Sequence, residues 1–343
     1  MSMGILSTLK KDESYMQKCI TFAKKGAGYV SPNPLVGCVI VRNGKIIAKG
    51  YHHEYGEKHA EIDALNKIAG KAEGATLYVN LEPCCIHGKT PPCTERIIKE
   101  KIGRVVIGGL DKNPLVSGKG IKILKAAEIE IASGVLETEC QMLNQFFFKW
   151  VNTGLPYVTL KIAKTFDGFV AGPNGKQTKI TGEKSQKETH RLRSFYDAIL
   201  IGKNTALKDN PKLTVRKVKG RQPFRVVLDS RGEILGNQNL NLLNDKYANK
   251  TMVITGKNSL KDTLKKLGEK GISSVLVEGG PTVWESFIKE NLVDQLIVFT
   301  SPKKLKKGIY YSKNWNPKNL KTKKTLQHKS GNDLVETIFL NVY

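Results

Sequence analysis

The strongest constraint on this 343-residue chain is a set of four side chains that lie within 35 positions. His59 and Glu61 stand two residues apart, and Cys84 and Cys93 follow. One imidazole and two thiolates provide three ligands for a tetrahedral zinc ion and leave the fourth position for water. A structural zinc site uses four protein ligands, so Glu61 is better explained as a proton carrier. The set predicts a catalytic zinc centre.

The flanking sequence predicts the elements on which these residues lie. We expect a helix over His59 to Ile68, a strand over Ala75 to Leu81 and a helix over Thr94 to Lys101. Residues two apart in a helix point about 200° apart, so His59 and Glu61 can approach one metal only near the helix N-terminus. The pattern is typical of hydrolytic zinc deaminases, although their second cysteine usually follows more closely. Cys85 is expected to be a neighbour of the site and not a ligand.

The length of the chain predicts two domains, at 1–150 and 157–343, joined by a polar linker over 151–156 that ends in a proline. In the first domain, strands alternate with helices, and the last predicted helix runs from Leu136 to Trp150. This alternation predicts a three-layer α/β fold. In the second domain, strands are predicted at 157–163, 198–201, 225–228, 252–255, 274–277 and 337–342, and helices at 182–195 and 283–290.

One junction in the second domain has the chemistry of an anion site. The strand ending at Val277 is followed by Glu278-Gly279-Gly280 and a helix. Two glycines allow a ligand to approach the backbone closely, and a helix N-terminus offers free N–H groups to a pyrophosphate. A Gly-Gly turn by itself is often only a turn. No G-x-G-x-x-G motif occurs, so a Rossmann fold is not predicted.

Composition narrows the class of partner and the compartment. Fifty-six Lys and Arg residues against 31 Asp and Glu residues give a net charge of +25, which attracts anions. The lysines are spread along the chain, and the densest part, 302–329, has little aromatic interleaving. We therefore expect steering of a phosphorylated small substrate and no nucleic acid. Six cysteines are too few for a disulfide scaffold, and neither a membrane span nor a signal peptide is recognisable, which predicts a cytoplasmic protein.

Motifs around the zinc set resemble the bifunctional deaminase/reductase family of bacterial riboflavin biosynthesis. They are Ser31-Pro32-Asn33-Pro34, Gly50-Tyr51-His52, His59-Ala60-Glu61, Glu82-Pro83-Cys84 and Thr90-Pro91-Pro92-Cys93. The resemblance implies a cytidine-deaminase-like fold for the first domain. It also implies contacts to a diaminopyrimidinone ribosyl phosphate from Asn33, His52, Lys89 and Thr90. The chain departs from the family at Cys85-Ile86-His87, where the imidazole is displaced by one position.

Motifs in the second domain resemble the reductase half of the same family. They include Ile180-Thr181-Gly182, Leu192-Arg193, Asp209-Asn210-Pro211 and Val277-Glu278-Gly279-Gly280. The resemblance implies a dihydrofolate-reductase-like fold and NADPH as cofactor. The implied cofactor contacts are Ala163, Thr205, Asp209, Gly280, Pro281 and Thr282, and the implied substrate contacts are Lys161, Arg193, Leu213, Arg216 and Glu278. The guanidinium groups of Arg193 and Arg216 suit a phosphate, which they can hold bidentately. A second departure is Gln177-Thr178-Lys179, where the family often has a tryptophan.

The resemblance thus implies a two-step enzyme that deaminates with zinc and then reduces with NADPH, and we expect it to be a homo-oligomer. Two other classes remain open. A tRNA or nucleoside deaminase with an accessory basic domain is opposed by Thr90-Pro91-Pro92-Cys93 and by the second-domain motifs. A binding protein with a structural zinc is opposed by Glu61 and by the count of three ligands. The basis of a preference for NADPH over NADH is not evident from the sequence.

Overall fold

The computed structural model describes residues 3–68, 70–88, 91–175, 178–312, 315 and 317–343. The chain forms two compact units, residues 1–153 together with Tyr343, and residues 154–342. Within the described ranges, none of the helices combines the length and the apolar character that a bilayer crossing requires.

The first unit is built on a five-stranded mixed sheet with the strand order β2-β1-β3-β4-β5. Strand β1 pairs antiparallel with β2 and β3, whereas β3, β4 and β5 are parallel. The strands are β1 (Gly37–Arg42), β2 (Lys45–Tyr51), β3 (Thr76–Leu81), β4 (Arg104–Gly109) and β5 (Glu130–Ser133). The helices are α1 (Met3–Ala23), α2 (Ala60–Asn66), α3 (Cys93–Lys99), α4 (Lys119–Ala126), α5 (Glu137–Leu143) and α6 (Gln145–Thr153).

Alternation along the strands divides the first unit into three layers. Ile40 and Leu77 belong to a core on the face that α2, α3 and α4 cover. Their sequence neighbours Val39 and Tyr78 belong to a second core, on the face that α1 and α5 cover. Successive side chains of a strand point to opposite faces, so one sheet serves both cores. The predicted three-layer α/β fold is confirmed.

Two boundaries in the first unit differ from the predicted ones. The single helix predicted over 136–150 is two helices, separated at Asn144, whose side chain bonds both the N–H and the C=O of Leu35. The Asn144 side chain thus ties the junction of the two helices to Leu35, while its backbone keeps local hydrogen bonds with Gln141 and Phe148. Helix α6 also continues to Thr153, so the first half of the predicted 151–156 linker is helical.

The second unit contains an eight-stranded sheet with the order β10-β9-β8-β11-β6-β12-β15-β14. The six strands from β10 to β12 are parallel, and β15 and β14 add an antiparallel hairpin at one edge. The strands of the unit are β6 (Tyr157–Thr165), β7 (Phe169–Ala171), β8 (Ala198–Gly202), β9 (Phe224–Leu228), β10 (Thr251–Ile254), β11 (Ser274–Val277), β12 (Gln295–Ser301), β13 (Ile309–Tyr310), β14 (Lys324–Ser330) and β15 (Asp333–Phe339). Of these, β7 and β13 form a separate two-stranded sheet. The helices are α7 (Glu183–Phe195), α8 (Lys203–Asp209), α9 (Asn241–Asn244), α10 (Leu260–Glu269) and α11 (Pro281–Lys289).

Both faces of the large sheet are covered by helices. Leu264 of α10 and Phe287 of α11 pack in the main core of the unit, whereas Leu192 of α7 packs against a smaller core around Phe299. The predicted α/β class is therefore confirmed for this unit as well. Seven of the elements described for this unit have no counterpart among the predicted ones: β7, β12, β13, β14, α8, α9 and α10.

Close packing of α2 on β2 places the helix that follows His59. A Cβ added at Gly50 would lie 2.3 Å from the carbonyl oxygen of Ala60 and 2.6 Å from the amide nitrogen of Ala64, both of which are backbone atoms that cannot rotate away. We therefore expect Gly50→Ala to lower the free energy of unfolding by about 1–3 kcal/mol, the usual cost of overpacking. Urea denaturation of the full chain measures this difference.

Gly88→Ala is the matched control, because its added Cβ would meet no atom within 4 Å in the described part of the chain. Its unfolding free energy should stay within about 0.5 kcal/mol of the parent value. Equal stability of the two variants would contradict the packing argument.

Candidate functional site

The first unit gathers His59, Cys84 and Cys93 into one cluster. Their ligand atoms all lie within 4.8 Å of one another. The imidazole Nδ1 of His59 lies 3.4 Å from the sulfur of Cys84 and 3.3 Å from that of Cys93. His59 is the N-cap of α2 and Cys93 is the first residue of α3, so two positive helix ends favour thiolates here. The structure thus brings together the three residues that the sequence singled out as ligands.

Protonation in the cluster also suits a metal. A hydrogen bond from the Cys93 thiol, aided by His59 and opposed by burial, lowers the pKa of Cys84 to about 4. The pKa of Cys93 is raised, because it donates to Cys84 and is buried. The backbone N–H of Cys93 also points to the Cys84 sulfur, at 3.3 Å. These contacts favour a thiolate at Cys84, and a set of two sulfurs and one imidazole nitrogen fits zinc.

Glu61 lies beside this cluster with an unused oxygen atom. The residue is 3% exposed, and its Oε2 has no hydrogen-bond partner among the described residues. Burial raises the pKa of Glu61 to about 7, despite the opposing effect of His59. Buried polar atoms are nearly always hydrogen-bonded, so an orphan carboxylate oxygen marks a place for a bound group or water.

A cavity of about 270 Å³ opens onto the cluster. Its wall contains both predicted substrate residues that the structure describes, Asn33 and His52. His52 Nδ1 donates to the carbonyl oxygen of Lys58 at 3.0 Å. Its Nε2 therefore accepts a hydrogen bond, which the Asn33 amide supplies at 3.1 Å. Burial lowers the pKa of His52, which favours the neutral ring. The amide and the imidazole are held in one orientation.

The other predicted substrate contacts of the first unit, Lys89 and Thr90, lie outside the described residues. At the departure from the family motif, Ile86 lines the cavity. The ring of His87 instead contacts Glu95 at 3.1 Å, and both side chains are largely exposed. Cys85 is half-buried and is not one of the clustered ligands.

Two further features of this site are not among the predicted residues. Glu82, directly before Pro83-Cys84, accepts three backbone N–H bonds, from Asp111, Gly118 and Ile121. It therefore fixes the ligand loop to the start of α4. The cavity is also lined by Asp111 and Asn113, and burial raises the pKa of Asp111 to about 6. Their signal in the sequence is their position just after a buried parallel strand.

In the second unit, three of the predicted substrate residues lie together. Arg193 of α7 binds Glu278 bidentately, with Nε–Oε1 at 2.6 Å and Nη2–Oε2 at 2.9 Å. Burial alone would raise the pKa of Glu278, but the Arg193 guanidinium holds it below its usual value. Lys161 of β6 is close enough to this pair to interact electrostatically, and burial lowers its pKa. The group combines two cations and one carboxylate.

The expectation that Arg193 holds a phosphate stays a prediction. Glu278 binds its Nε and Nη2, while its Nη1 donates to the carbonyl oxygen of Thr214 at 3.4 Å. Arg216 remains suitable: it is exposed and bonds the hydroxyl of Thr214 through Nη1. Its backbone N–H donates to Nδ1 of His190 at 3.1 Å, and burial and nearby cations lower the pKa of His190 to about 4. His190 is thus a neutral acceptor, and it ties the loop that carries Arg216 to α7. Leu213, in the same loop, is buried with φ 50°.

The predicted cofactor residues lie on three neighbouring parallel strands or directly after them. Ala163 is on β6, Thr205 and Asp209 are on α8 after β8, and Gly280, Pro281 and Thr282 begin α11 after β11. A Cβ at Gly202 would approach Val283 to 2.8 Å, so the starts of α8 and α11 are adjacent. A Cβ at Gly280 would meet no described atom within 4 Å. This open glycine before a helix fits the close approach of a pyrophosphate.

Comparisons with known proteins cover both units. A family model described as the cytidine and deoxycytidylate deaminase zinc-binding region matches residues 9–109, and one described as the RibD C-terminal domain matches residues 156–334. The riboflavin biosynthesis protein RibD of Aquifex aeolicus is 44% identical over 319 residues, which are 87% of this chain and 89% of the relative. The RibD of Escherichia coli is 36% identical over 325 residues, which are 86% of this chain and 89% of that relative.

Solved structures agree with these matches. The RibD of Acinetobacter baumannii has a TM-score of 0.88 at 34% identity and covers 96% of this chain and 99% of its own. A diaminohydroxyphosphoribosylaminopyrimidine deaminase/reductase from Thermotoga maritima has a TM-score of 0.88 at 37% identity. The match covers 97% of this chain and 99% of the other.

The ligand set can be tested by metal analysis. Cys84→Ser should reduce bound zinc to well below one equivalent, because a hydroxyl is a far poorer zinc ligand than a thiolate. Cys85→Ser, which changes the adjacent residue in the same way, should retain the full equivalent. Metal content after gel filtration measures both. Loss of zinc from the Cys85 variant, or its retention in the Cys84 variant, would contradict the assignment.

Proposed function

The chain belongs to the bifunctional deaminase/reductase family of riboflavin biosynthesis, and we propose which of its residues carry the two reactions. The protein is an enzyme of riboflavin biosynthesis that uses zinc and NADPH. It hydrolytically deaminates a diaminopyrimidinone ribosyl phosphate and then reduces the ribosyl group to a ribityl chain. The match of the second unit to a reductase family opposes a tRNA deaminase with an accessory basic domain.

The observation that carries the first assignment is the orphan oxygen of Glu61 beside the His59–Cys84–Cys93 cluster. When bound, zinc supplies Lewis-acid chemistry that makes a water molecule acidic enough to act near neutral pH. Glu61 accepts the proton of that water at Oε2 and returns a proton to the departing amino group. Burial favours the protonated form of Glu61 by raising its pKa, which suits a carboxyl group that returns a proton after accepting one.

Asn33 and His52 orient the pyrimidine in this proposal. Their mutual hydrogen bond and the anchor at Lys58 fix the direction of both side chains before substrate arrives. Preorganised polar groups lower the cost of ordering the substrate. Lys89 and Thr90 are assigned to the same substrate by family resemblance.

In the second unit the chain binds and orients, since NADPH supplies the hydride and the reducing chemistry. Arg216 binds the substrate phosphate with its accessible guanidinium, and Leu213 shapes the loop that presents it. Lys161 and the Arg193–Glu278 pair face the ribose, with Glu278 held ionised by Arg193. Ala163, Thr205, Asp209 and the start of α11 (Gly280, Pro281 and Thr282) contact NADPH.

The compartment, the class of substrate and the oligomeric state of the enzyme are part of the same proposal. A pair of thiol ligands favours a reducing, cytoplasmic compartment. The net charge of +25 favours a phosphorylated small molecule over nucleic acid because the lysines form no aromatic-interleaved stripe. A homo-oligomer is also proposed, and sedimentation of the purified protein tests it.

The assignment of two reactions is tested by supplying the diaminopyrimidinone ribosyl phosphate together with NADPH. Ammonia release and NADPH oxidation should both occur, and ammonia should appear first because the reductase acts on the deaminated compound. Ammonia without NADPH oxidation would contradict the assignments in the second unit. Absence of both signals in zinc-loaded protein would contradict the whole proposal.

Glu61→Gln tests the proton carrier. The amide keeps the shape but cannot accept the proton, so kcat for ammonia release should fall by about 10²–10⁴-fold. Zinc content should be unchanged, and NADPH oxidation should persist when the deaminated compound is supplied. Glu54→Gln, an exposed change of equal charge, should leave ammonia release unaltered. Loss of zinc from the Glu61 variant would give that residue a ligand role instead.

Arg216→Ala tests the phosphate contact of the reductase. Losing one charge-assisted contact should raise KM for the deaminated substrate about tenfold or more, while KM for NADPH stays constant. Lys217→Ala removes the neighbouring charge, whose ammonium bonds Gln186 instead, and should change neither constant. An unchanged substrate KM in the Arg216 variant would exclude the phosphate role.

A further inference from the structure

The loop that carries Arg216 is held by side chains from outside the loop segment itself. It connects α8 to β9. Gln222, just before β9, bonds both backbone groups of Val215: its Oε1 accepts from the N–H at 2.8 Å, and its Nε2 donates to the C=O at 2.9 Å. The backbone N–H of Arg216 donates to Nδ1 of His190 at 3.1 Å. The course of the backbone at Arg216 therefore depends on Gln222 and His190.

His190 connects this loop to α7, where it precedes Arg193 by three residues. Residues three apart in a helix lie on the same face. Both side chains bond the loop, His190 at the N–H of Arg216 and the Arg193 Nη1 at the carbonyl oxygen of Thr214, 3.4 Å away. His190 is only 6% exposed, so solvent competes little for its contact. One face of α7 thus holds two backbone groups of the loop.

The protonation state of His190 suits this contact. Because Nδ1 accepts a hydrogen bond, the neutral ring carries its proton on Nε2. Burial lowers the pKa of His190 most, and the cations Arg193, Arg216 and Lys217 lower it further. Glu278 opposes them, and the pKa is about 4. Nδ1 is therefore an acceptor at neutral pH.

The guanidinium of Arg216 is tied to the same loop, because its Nη1 donates to the hydroxyl of Thr214 at 2.7 Å. Burial and the positive charge of Arg193 lower the pKa of Arg216, as expected where two cations lie close together. A phosphate bound at Arg216 relieves that repulsion. A guanidinium that is fixed in advance also loses less conformational entropy when the phosphate binds.

We propose that His190 is a positioning residue of the reductase, whose Nδ1 holds the backbone of Arg216 so that the guanidinium is placed for the substrate phosphate before substrate arrives. This inference rests on the proposed phosphate contact of Arg216 and adds the residue that orients it. His190 acts through Arg216 and not by touching the substrate. Its effect is therefore on substrate binding, and it vanishes when Arg216 has no guanidinium to place.

Steady-state kinetics of the full-length protein with the deaminated substrate test the proposal. His190→Leu removes the acceptor and keeps an apolar side chain in the helix, whereas His190→Asn keeps an acceptor oxygen close to the position of Nδ1. Substrate KM should rise about three- to tenfold in His190→Leu, the scale of one hydrogen bond, and stay within about twofold in His190→Asn. Neither kcat nor KM for NADPH should change.

His328→Leu is the matched control. It removes an exposed imidazole of the same unit, whose Nε2 contacts Glu188 at 2.9 Å, and should leave all three constants unaltered. Combining His190→Leu with Arg216→Ala should give the substrate KM of Arg216→Ala alone, because interacting residues have non-additive effects.

The outcomes separate this inference from the one on which it rests. An unchanged substrate KM in Arg216→Ala would overturn the phosphate contact and this inference together. A raised KM in Arg216→Ala with a normal one in His190→Leu would overturn this inference alone. So would additive losses in the double variant, a raised KM for NADPH in His190→Leu, or equal losses in His190→Asn and His190→Leu.

Discussion

In both units the strands that lead into the candidate sites run parallel, and the carboxyl ends of parallel strands meet at one edge of the sheet. In the first unit this brings the Cys84 loop after β3 next to Asp111 after β4. In the second it brings Lys203, Arg231 and Gly280 to one edge. Each site is therefore assembled from short segments that are distant in sequence. The hydrogen bonds of Glu82 to the start of α4 show how such an edge is held in register.

Two buried carboxylates illustrate how burial and ion pairing shift a pKa in opposite directions. Glu61 is buried with one oxygen unpartnered, and its pKa rises to about 7. Glu278 is also buried, but the bidentate contact with Arg193 lowers its pKa. A carboxyl group that exchanges a proton near neutrality suits acid–base catalysis. A carboxylate that stays ionised, as Glu278 does, is suited to orienting a ligand and its ion-pair partner Arg193. The local environment, and not the residue type, decides the role.

Much of the fold is predictable from local pattern. Strands β1, β3 and β4 are largely apolar runs, and α7 and α11 each begin directly after a glycine, so their positions follow from the sequence. The break at Asn144 does not, because it depends on a hydrogen-bonded contact with Leu35, 109 residues away. Strand β14 is not predictable from local pattern either, since nearly all of its side chains are exposed. It is a strand because it pairs with β15.

The sequence by itself predicts the donor set of a metal site, because ligand type and helix start are local properties of His59, Cys84 and Cys93. It also predicts Glu61 as the proton carrier and, through family motifs, it determined the two reactions. Only the tertiary structure decided which charges are paired with one another. Arg193 pairs with Glu278, Arg216 is exposed, and Lys203 and Arg231 both bind Glu233. The physical reason is that an ion pair joins side chains far apart in the chain, and its strength depends on distance and burial, which a sequence does not contain.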